Sequence, residues 1–280
     1  MKVYLDCIPC FLRQALEASR MATDDEEVQL EVLRKINKEL SIMNFEGKKP
    51  PHIADRVHYI VRKITKNHDP YKKVKDEYNE RALYMYPTLK GMLDGSDDRL
   101  LTAVKLAIAG NIIDFGPNSN FDLDSTVKEV LVQDPAINNY ENLKKSLEEA
   151  GEIIYLGDNT GEIVFDKILI EELNGKKIIF VVKDGPILND ATKEDAETVG
   201  LDKIAKIEEV NNGAPGVNPH RDSEEYIERM KKADLIISKG QGNYEALSEA
   251  ESLNIFFLLK AKCPVIADDL GVNVGDIVIK

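Results

Sequence analysis

Several features that define whole classes of protein are scarce in this chain of 280 residues. Its three cysteines are an odd number spread over a long chain, which excludes a disulfide framework and suits a reducing compartment. There is no run of about 18 apolar residues and no apolar amino-terminal stretch with a basic flank, so we expect neither a membrane span nor a signal peptide. A cytoplasmic location is the expectation that follows.

Positive charge is also in short supply. Lysine and arginine total 37 residues against 50 aspartates and glutamates, which gives a formal net charge of -13. Because binding to a nucleic-acid backbone or to an anionic membrane needs a basic face, we expect neither partner. The four histidines are scattered, and we assign none of them to catalysis. A Walker loop and a complete dinucleotide fingerprint are missing as well.

The hydrophobic pattern changes near residue 94. Before it, apolar residues recur at helical spacing between Pro and Gly breaks, which predicts an all-α subdomain at residues 1–93. Residues 94–280 form the second predicted subdomain, where short β-branched runs alternate with polar helical segments from residue 152 onward. This alternation is typical of βαβ units, so the fold class is α/β with a mostly parallel sheet.

Seven segments have the composition of strands, and the last two lie so close together that we expect an antiparallel edge. The predicted strands cover residues 153–157, 177–182, 205–209, 234–238, 254–259, 263–267 and 276–279. Four of the apolar runs end in polar side chains, namely Asp158-Asn159, Lys183, Lys239 and Lys260. Because ligands of an open parallel sheet bind outside the carboxyl ends of its strands, these side chains should converge on one crevice. An acid and an amide beside three lysines indicate a metal and phosphate site.

The segment LGDNTGEIVFD, residues 156–166, contains the acid-amide pair. Asp158 and Asn159 leave the strand, and Glu162 opens the next helix. A turn of this kind can present two oxygens to one hard cation such as Mg²⁺ or Mn²⁺. The alternative is that Asp158 or Asn159 merely caps the helix, since both residue types are preferred there.

The second polar segment is VVKDGPILNDATKEDAE, which begins at residue 181. Lys183 could meet a phosphate as a point charge, and Asp195, on the helix that follows, could close a metal site begun by Asp158. A solvated lysine and a surface acid are the ordinary alternatives.

The third polar segment is SKGQGNYEAL, residues 238–247. Lys239 follows a strand, Gly240 and Gly242 would let backbone N–H groups approach an anion, and Asn243 precedes a helix. A plain glycine-rich turn is the alternative.

Cys7 and Cys10 have a spacing that puts both sulfurs on one face of a helix. There they could hold a metal, form a redox pair or simply pack. A four-ligand zinc site would need two further donors, for example Cys263 and a histidine. We prefer a structural or accessory role to a catalytic one, because unpaired cysteines are often core residues.

Together these motifs resemble the DUF89 family of metal-dependent damage-control phosphatases. The resemblance rests on DNTGE at 158–162, KDGPILND from residue 183, KGQGN at 239–243, LLKAKCPVIA around Lys260 and GNIIDFG at 110–116. CIPCFLRQ at 7–14 resembles the branch of the family that carries a CxxC pair. The match spans nearly the whole chain.

The resemblance implies a three-layer α/β/α Rossmann-like subdomain after the helical one, with one divalent metal ion, Mg²⁺, Mn²⁺, Co²⁺ or Ni²⁺, at the strand exits. Its metal ligands map onto Asp158, Asn159 and Asp195. Its substrate contacts map onto Glu162, Lys239, Gly240, Gln241, Gly242, Asn243 and Lys260. Asn111 and Asp114 belong to a family motif and would line the site, and Lys183 adds a phosphate contact to this set.

The expected activity is hydrolysis of phosphate monoesters of small metabolites, such as sugar phosphates, phosphorylated cofactors or damaged metabolites. Asp158, Asp195 and Lys239 are the predicted catalytic residues, and the lysines would neutralise the phosphoryl oxygens in the transition state. The nucleophile is either a water at the metal or one of the two aspartates. We favour water, because a carboxylate committed to a metal is a poorer nucleophile. A small phosphorylated metabolite is the expected partner, and the oligomeric state stays open.

Two other classes of function remain in view. A non-catalytic Rossmann-like module that binds a nucleotide or sugar phosphate would explain the lysines and glycines, but not the acid-amide pair with a distant second acid. A methyltransferase would need a glycine-rich loop after the first strand and an acid after the second. Asp158-Asn159 and Lys183 stand at those two places instead.

Overall fold

The computed structural model describes residues 1–111, 123–210 and 224–280. The helices of this part of the chain are α1 (Cys7–Ala22), α2 (Glu26–Ile42), α3 (Pro50–Thr65), α4 (Lys72–Asp94), α5 (Arg99–Gly110), α6 (Leu123–Val132), α7 (Tyr140–Glu149), α8 (Glu162–Glu172), α9 (Lys193–Thr198), α10 (Glu224–Lys232), α11 (Gly240–Leu247) and α12 (Pro264–Leu270). The strands are β1 (Ile137–Asn138), β2 (Glu152–Leu156), β3 (Lys177–Lys183), β4 (Lys206–Val210), β5 (Leu235–Lys239), β6 (Ile255–Lys260) and β7 (Ile277–Ile279). Within these ranges no helix combines the length and the apolar character that crossing a bilayer requires.

The strands form one sheet in the order β1-β7-β6-β5-β2-β3-β4. Neighbouring strands are parallel, except that β6 and β7 are antiparallel. From β2 the chain continues to β3 and β4 on one side of the sheet. It then crosses to the other side of β2, where it forms β5 and β6. The carboxyl ends of β2 and β5 therefore flank the point where the strand order reverses, which is where open α/β sheets bind ligands.

Helices cover both faces of the sheet because successive side chains of each strand point to opposite sides. Ile153 and Tyr155 of β2 belong to a buried apolar cluster with α4 to α8. Ile154 and Leu156 belong to a second cluster with α1 to α3, α11 and α12. The predicted three-layer α/β/α fold class with a mostly parallel sheet is confirmed. The division of the chain at residue 93 stays a prediction, and the first four helices share their apolar clusters with the sheet.

One predicted strand is wrong. Of the residues 263–267 predicted as a strand, Cys263 is the N-cap of α12 and the others lie in this helix, which begins with Pro264 and buries Val265, Ile266 and Ala267. Proline is favoured at the first position of a helix, and a short apolar run does not by itself distinguish a buried helix from a buried strand. The last strand, β7, pairs antiparallel with β6, but it is not the expected edge strand, because β1 pairs with its other side in parallel.

Candidate metal and phosphate site

A crevice of about 420 Å³ opens at the carboxyl ends of β2 and β5. One wall comes from the strand exits, and the other comes from α1 and α3 of the amino-terminal half. Its polar lining includes Asp158, Asn159, Asp190, Gln241, Glu245 and Lys262. Its apolar lining includes Phe11, Pro50, Pro51, Ala54, Leu188 and Val265. The fold thus brings residues more than 200 positions apart in the sequence to one cavity.

Asp158 is held in a fixed orientation at the base of this crevice. Its Oδ2 accepts hydrogen bonds from Asn111 Nδ2 at 2.9 Å and from Asn159 Nδ2 at 2.8 Å. Gly240, at the start of α11, lies directly against the carboxylate, since an added Cβ would sit 1.8 Å from Oδ2. Its φ of 76° also belongs to the region that glycine adopts most readily.

A buried ionic network lies beneath Asp158. Lys239 is fully buried, and its Nζ donates to Glu162 Oε1 at 2.6 Å, to Asp166 Oδ1 at 2.6 Å and to the Ala107 carbonyl at 2.8 Å. These three contacts use all the donors of an ammonium group. The other Glu162 oxygen, Oε2, accepts from Asn111 at 2.7 Å and from Asn159 at 3.2 Å. Lys239 and Glu162 therefore bind protein groups: Glu162 accepts from both asparagines, and Lys239 donates to Glu162. Their expected contacts with substrate stay a prediction.

The loop after β3 brings Asp190 to the crevice. Its neighbour Ala191 donates its N–H to the Asp158 carbonyl at 2.8 Å, and Thr160 donates to the Asn189 carbonyl at 2.8 Å. Asp190 pairs with Asn159 in the resulting bridge. Asp190 is the last residue of the KDGPILND motif, and its place in the crevice was not predicted from the sequence.

The pKa values of the two crevice aspartates are raised. Burial, and then the negative charge of Glu162, raise the pKa of Asp158 to about 6, against the positive charges of Lys262, Lys183 and Lys239. Burial raises the pKa of Asp190 to about 8, with Asp158 adding to the rise and Lys183 opposing it. A cation between these two carboxylates would favour their ionised forms and so lower both pKa values.

Asp195 does not line the crevice formed by the described residues. Its Oδ1 accepts from Asn79 at 3.0 Å, and its Oδ2 accepts from the N–H and hydroxyl of Thr192 at 2.8 and 2.7 Å. Lys75 completes the set with an ion pair of 2.9 Å, in which both side chains are almost completely buried. The carboxylate predicted to bind metal is therefore occupied by protein donors and stabilises the start of α9. The sequence pattern does not distinguish Asp190, which lines the crevice, from Asp195, which does not.

The remaining predicted residues divide between the crevice and its support. Gln241 and Gly242 line the crevice, whereas Asn243 is buried and donates to the Gly157 and Lys239 carbonyls at 3.2 and 2.8 Å. Lys183 is 4% exposed, and its Nζ lies 3.9 Å from Asp190 Oδ2.

Lys260 ends β6 beside Gly275, and among the described residues it is not part of the crevice lining. Asp114 lies outside the described residues.

Three cysteines meet at the mouth of the crevice. Cys7 and Cys10, on the first turn of α1, and Cys263, before α12, all line it, and all three are free thiols. Burial raises the pKa of Cys7 and of Cys263, which keeps both protonated at neutral pH. In the described ranges no group of three or more His, Cys, Asp or Glu side chains is arranged to hold a metal ion.

Asp158, Asn159 and Asp190 fit a hard divalent cation. They offer two carboxylates and one amide. The pKa values of both carboxylates are raised, and a bound cation would lower them. Asn159 donates its hydrogen bonds to Asp158 and Glu162 from its Nδ2, and its amide oxygen could serve as a further metal ligand. Oxygen ligands of this kind suit Mg²⁺ or Mn²⁺ better than a soft metal.

The sheet order and this crevice define a Rossmann-like α/β protein with an acidic, oxygen-rich cavity at its switch point. A family model described as the damage-control phosphatase ARMT1-like domain matches residues 3–278. The chain therefore belongs to the damage-control phosphatase ARMT1-like family.

Individual relatives agree with this assignment. A protein of Archaeoglobus fulgidus named damage-control phosphatase is 37% identical over 290 residues, which cover 100% of this chain and 99% of the relative. The crystal structure of a DUF89 family protein from Pyrococcus horikoshii superimposes with a TM-score of 0.92 at 36% identity, covering 100% of this chain and 98% of the other. A mouse protein named 4'-phosphopantetheine phosphatase is 28% identical over 167 residues, or 51% of this chain and 19% of its own length.

Proposed function

We propose that the protein hydrolyses phosphate monoesters of small metabolites with the help of a divalent cation held by Asp158, Asn159 and Asp190. Its family membership makes it a phosphatase. The observation that carries the site assignment is that Asp158, Asn159 and Asp190 line one crevice at the switch point of the sheet, where a bridge joins Asn159 to Asp190. Asp190 replaces Asp195 in the proposed set, because the Asp195 carboxylate is occupied by Lys75, Asn79 and Thr192.

The described side chains have definite tasks in this proposal. A divalent cation at the site, when bound, would polarise the phosphoryl group and offset its charge. Asn111 and Asn159 fix the orientation of Asp158, and Glu162 and Lys239 hold the two asparagines in place. Their rigid arrangement means that little reorganisation is needed when charge develops in the transition state.

Water remains the proposed nucleophile. Asp158 Oδ2 already accepts two hydrogen bonds and packs against Gly240, which leaves this carboxylate little freedom to attack phosphorus. Direct attack by water would give no covalent intermediate on the protein. Isolation of a phosphorylated aspartate from rapidly quenched turnover would overturn this part of the proposal.

The preferred metal and the substrate class are proposals of the same kind. Mg²⁺, Mn²⁺, Co²⁺ and Ni²⁺ all accept oxygen ligands, and the hard ions are favoured by the carboxylates. The apolar wall formed by Phe11, Pro50, Leu188 and Val265 suits the organic part of a compact phosphate ester. Sugar phosphates and phosphorylated cofactors are the candidates, and the name of the mouse relative supports the second group.

The motif CIPCFLRQ leads us to propose that the chain belongs to the CxxC branch of the family, with an accessory role for Cys7 and Cys10 at the crevice mouth. We also retain a cytoplasmic location and a division of the chain at residue 93 as proposals. Both derive from the sequence pattern.

A phosphatase screen tests the proposed function. The protein is assayed against a panel of phosphorylated metabolites with each of the four metals in turn, beside Asp158→Ala and the exposed-acid control Asp134→Ala. We expect turnover by the wild-type protein and by the control, and none by Asp158→Ala. Stoichiometric binding of a phosphorylated ligand without turnover in any metal would instead favour the non-catalytic module.

A further inference from the structure

The crevice needs a positive side chain that none of the predicted lysines supplies. A phosphate monoester carries up to two negative charges, whereas the crevice lining contains the acids Asp6, Asp158, Asp190 and Glu245. Lys239 has all three donors committed to protein oxygens, and Lys183 is almost completely buried beside Asp190. Among the described residues, the basic side chains that line the crevice are Arg13 and Lys262.

Lys262 is better placed than Arg13 to reach the reacting group. Lys262 lines the same crevice as Asp158, and its backbone is bonded to Gln241, the neighbour of the Gly240 that lies against the Asp158 carboxylate. Arg13 is exposed on α1, and its Nη2 donates to Cys10 Sγ on the same helix. No ion pair joins Lys262 to an acid of the described ranges, and its side chain is exposed.

The backbone of Lys262 is anchored to the same turn that carries Gly240. Its N–H donates to Gln241 Oε1 at 2.6 Å, which ties the connection between β6 and α12 to the first turn of α11. Gln241 Nε2 also approaches Cys263 Sγ at 4.0 Å. The position from which the Lys262 side chain extends is therefore set relative to Asp158, although the side chain itself remains exposed.

We propose that Lys262 is a catalytic residue whose ammonium group binds the phosphoryl oxygens of the substrate, and that Gln241 is a positioning residue for it. The inference rests on the proposed phosphatase function. During hydrolysis the bond between phosphorus and the ester oxygen breaks, and a bond from phosphorus to the water oxygen forms. The water supplies the proton that the leaving alcohol takes up. Lys262 keeps its own proton throughout and stabilises the charge spread over the non-bridging oxygens.

Three variants test the assignment. Lys262→Ala should lower kcat/KM by about a hundredfold for any substrate that the wild type turns over, as expected when one charged transition-state contact is lost. Lys262→Arg should restore most of the loss, and Lys73→Ala, which removes an exposed lysine on α4 outside the crevice lining, should have no effect. Gln241→Ala should lower kcat less than Lys262→Ala. It removes the hydrogen bond that anchors the Lys262 backbone but keeps the Lys262 ammonium charge.

Binding measurements separate this inference from the proposed function. Calorimetric titration of inorganic phosphate into Mn²⁺-loaded protein should show affinity weakened by at least about tenfold in Lys262→Ala. The affinity for Mn²⁺ itself should be unchanged or higher, since a neighbouring positive charge has been removed. These two opposite effects are not expected from a general loss of structure.

The outcomes are distinct. Absence of wild-type turnover with every metal and substrate would overturn the phosphatase proposal, while the phosphate titration would still test Lys262. Equal phosphate affinity and equal kcat/KM in Lys262→Ala and wild type would overturn the assignment of Lys262. Loss of phosphate affinity with retained Mn²⁺ affinity supports it.

Discussion

The Asp158 carboxylate occupies the space that a side chain on Gly240 would need. An added Cβ would lie 1.8 Å from Asp158 Oδ2, far inside van der Waals contact. The glycine was interpreted from the sequence as a way for backbone N–H groups to approach an anion. In the structure, the missing side chain of Gly240, after β5, leaves the space that the Asp158 carboxylate, after β2, occupies.

Gly240→Ala should therefore abolish metal binding and turnover by displacing the Asp158 carboxylate. The positive φ of 76° adds a backbone cost of about 1–2 kcal/mol for a residue with a side chain. Chemical denaturation measures the stability change, and a titration with Mn²⁺ measures the binding.

Gly47→Ala is the matched control for this substitution. Gly47 has a similar φ of 69°, but an added Cβ meets nothing within 4 Å. It should lose comparable stability while keeping full turnover. If Gly240→Ala kept wild-type turnover, the close contact between Gly240 and Asp158 would not be needed for activity.

Lys239→Met should destabilise the protein strongly. Glu162 and Asp166 are completely buried, and both lose their ammonium partner in this variant. Leaving buried charges unpaired typically costs about 3–5 kcal/mol. The free energy of unfolding, measured with urea, should fall by this amount. The control Lys73→Met, which replaces an exposed lysine, should leave it unchanged. A loss below about 1 kcal/mol would mean that the network is not a stability determinant.

The mostly parallel α/β sheet could be predicted from the sequence, because β-branched runs alternate with helical segments as in βαβ units, but the order of the strands was not predicted. The strands β2 to β6 were placed to within one or two residues. The segment from Pro264 to Leu270 was misassigned because a short apolar run fits a buried helix or a buried strand equally well. The two-residue strand β1 is too short to leave a pattern of its own.

The site was predictable only where the motif itself contacts the crevice. Asp158 and Asn159 follow a strand, and that rule was sufficient to find them. The choice between Asp190 and Asp195 depends on the bridge between the loops at 158–160 and 189–191 and on Lys75 from α4, which are long-range contacts. Likewise, the burial of Lys239 depends on α5 and α8, and not on its own motif.

Glu245 should make stability depend on pH in the metal-free protein. Burial is the largest cause that raises its pKa from 4.5 to about 7, and the charge of Asp158 adds to it. The folded state holds the proton more tightly than the unfolded state, so this stabilising contribution is present below pH 4.5 and is lost as the pH rises through 7.

Glu245→Gln removes this loss of stability at rising pH, because the amide does not ionise. The stability of the variant relative to wild type should rise between pH 5 and 7 by at most about 1.4 kcal/mol per pH unit, and then level off. Urea denaturation in the presence of a chelator, repeated across this range, measures the difference. A difference that stays constant with pH would show that Glu245 titrates as an ordinary exposed acid.

The double variant Cys7→Ala/Cys10→Ala should retain turnover within about threefold of wild type. Cys10 Sγ accepts hydrogen bonds from Arg13 and Gln14 of its own helix, and burial keeps Cys7 as an unreactive thiol by raising its pKa. Steady-state kinetics and a melting curve check this together. A loss of turnover of two orders of magnitude at unchanged melting temperature would give the cysteines a direct part in the reaction.

The affinity for Mn²⁺ of Asp190→Asn and Asp195→Asn, compared by titration calorimetry, tests the central claim most directly. Asp190→Asn should lose at least about tenfold in affinity and keep its fold, because it removes one of the two crevice carboxylates. Asp195→Asn should bind Mn²⁺ like wild type, although it is less stable after losing the ion pair with Lys75. Loss of binding in Asp195→Asn with full binding in Asp190→Asn would contradict the proposed site.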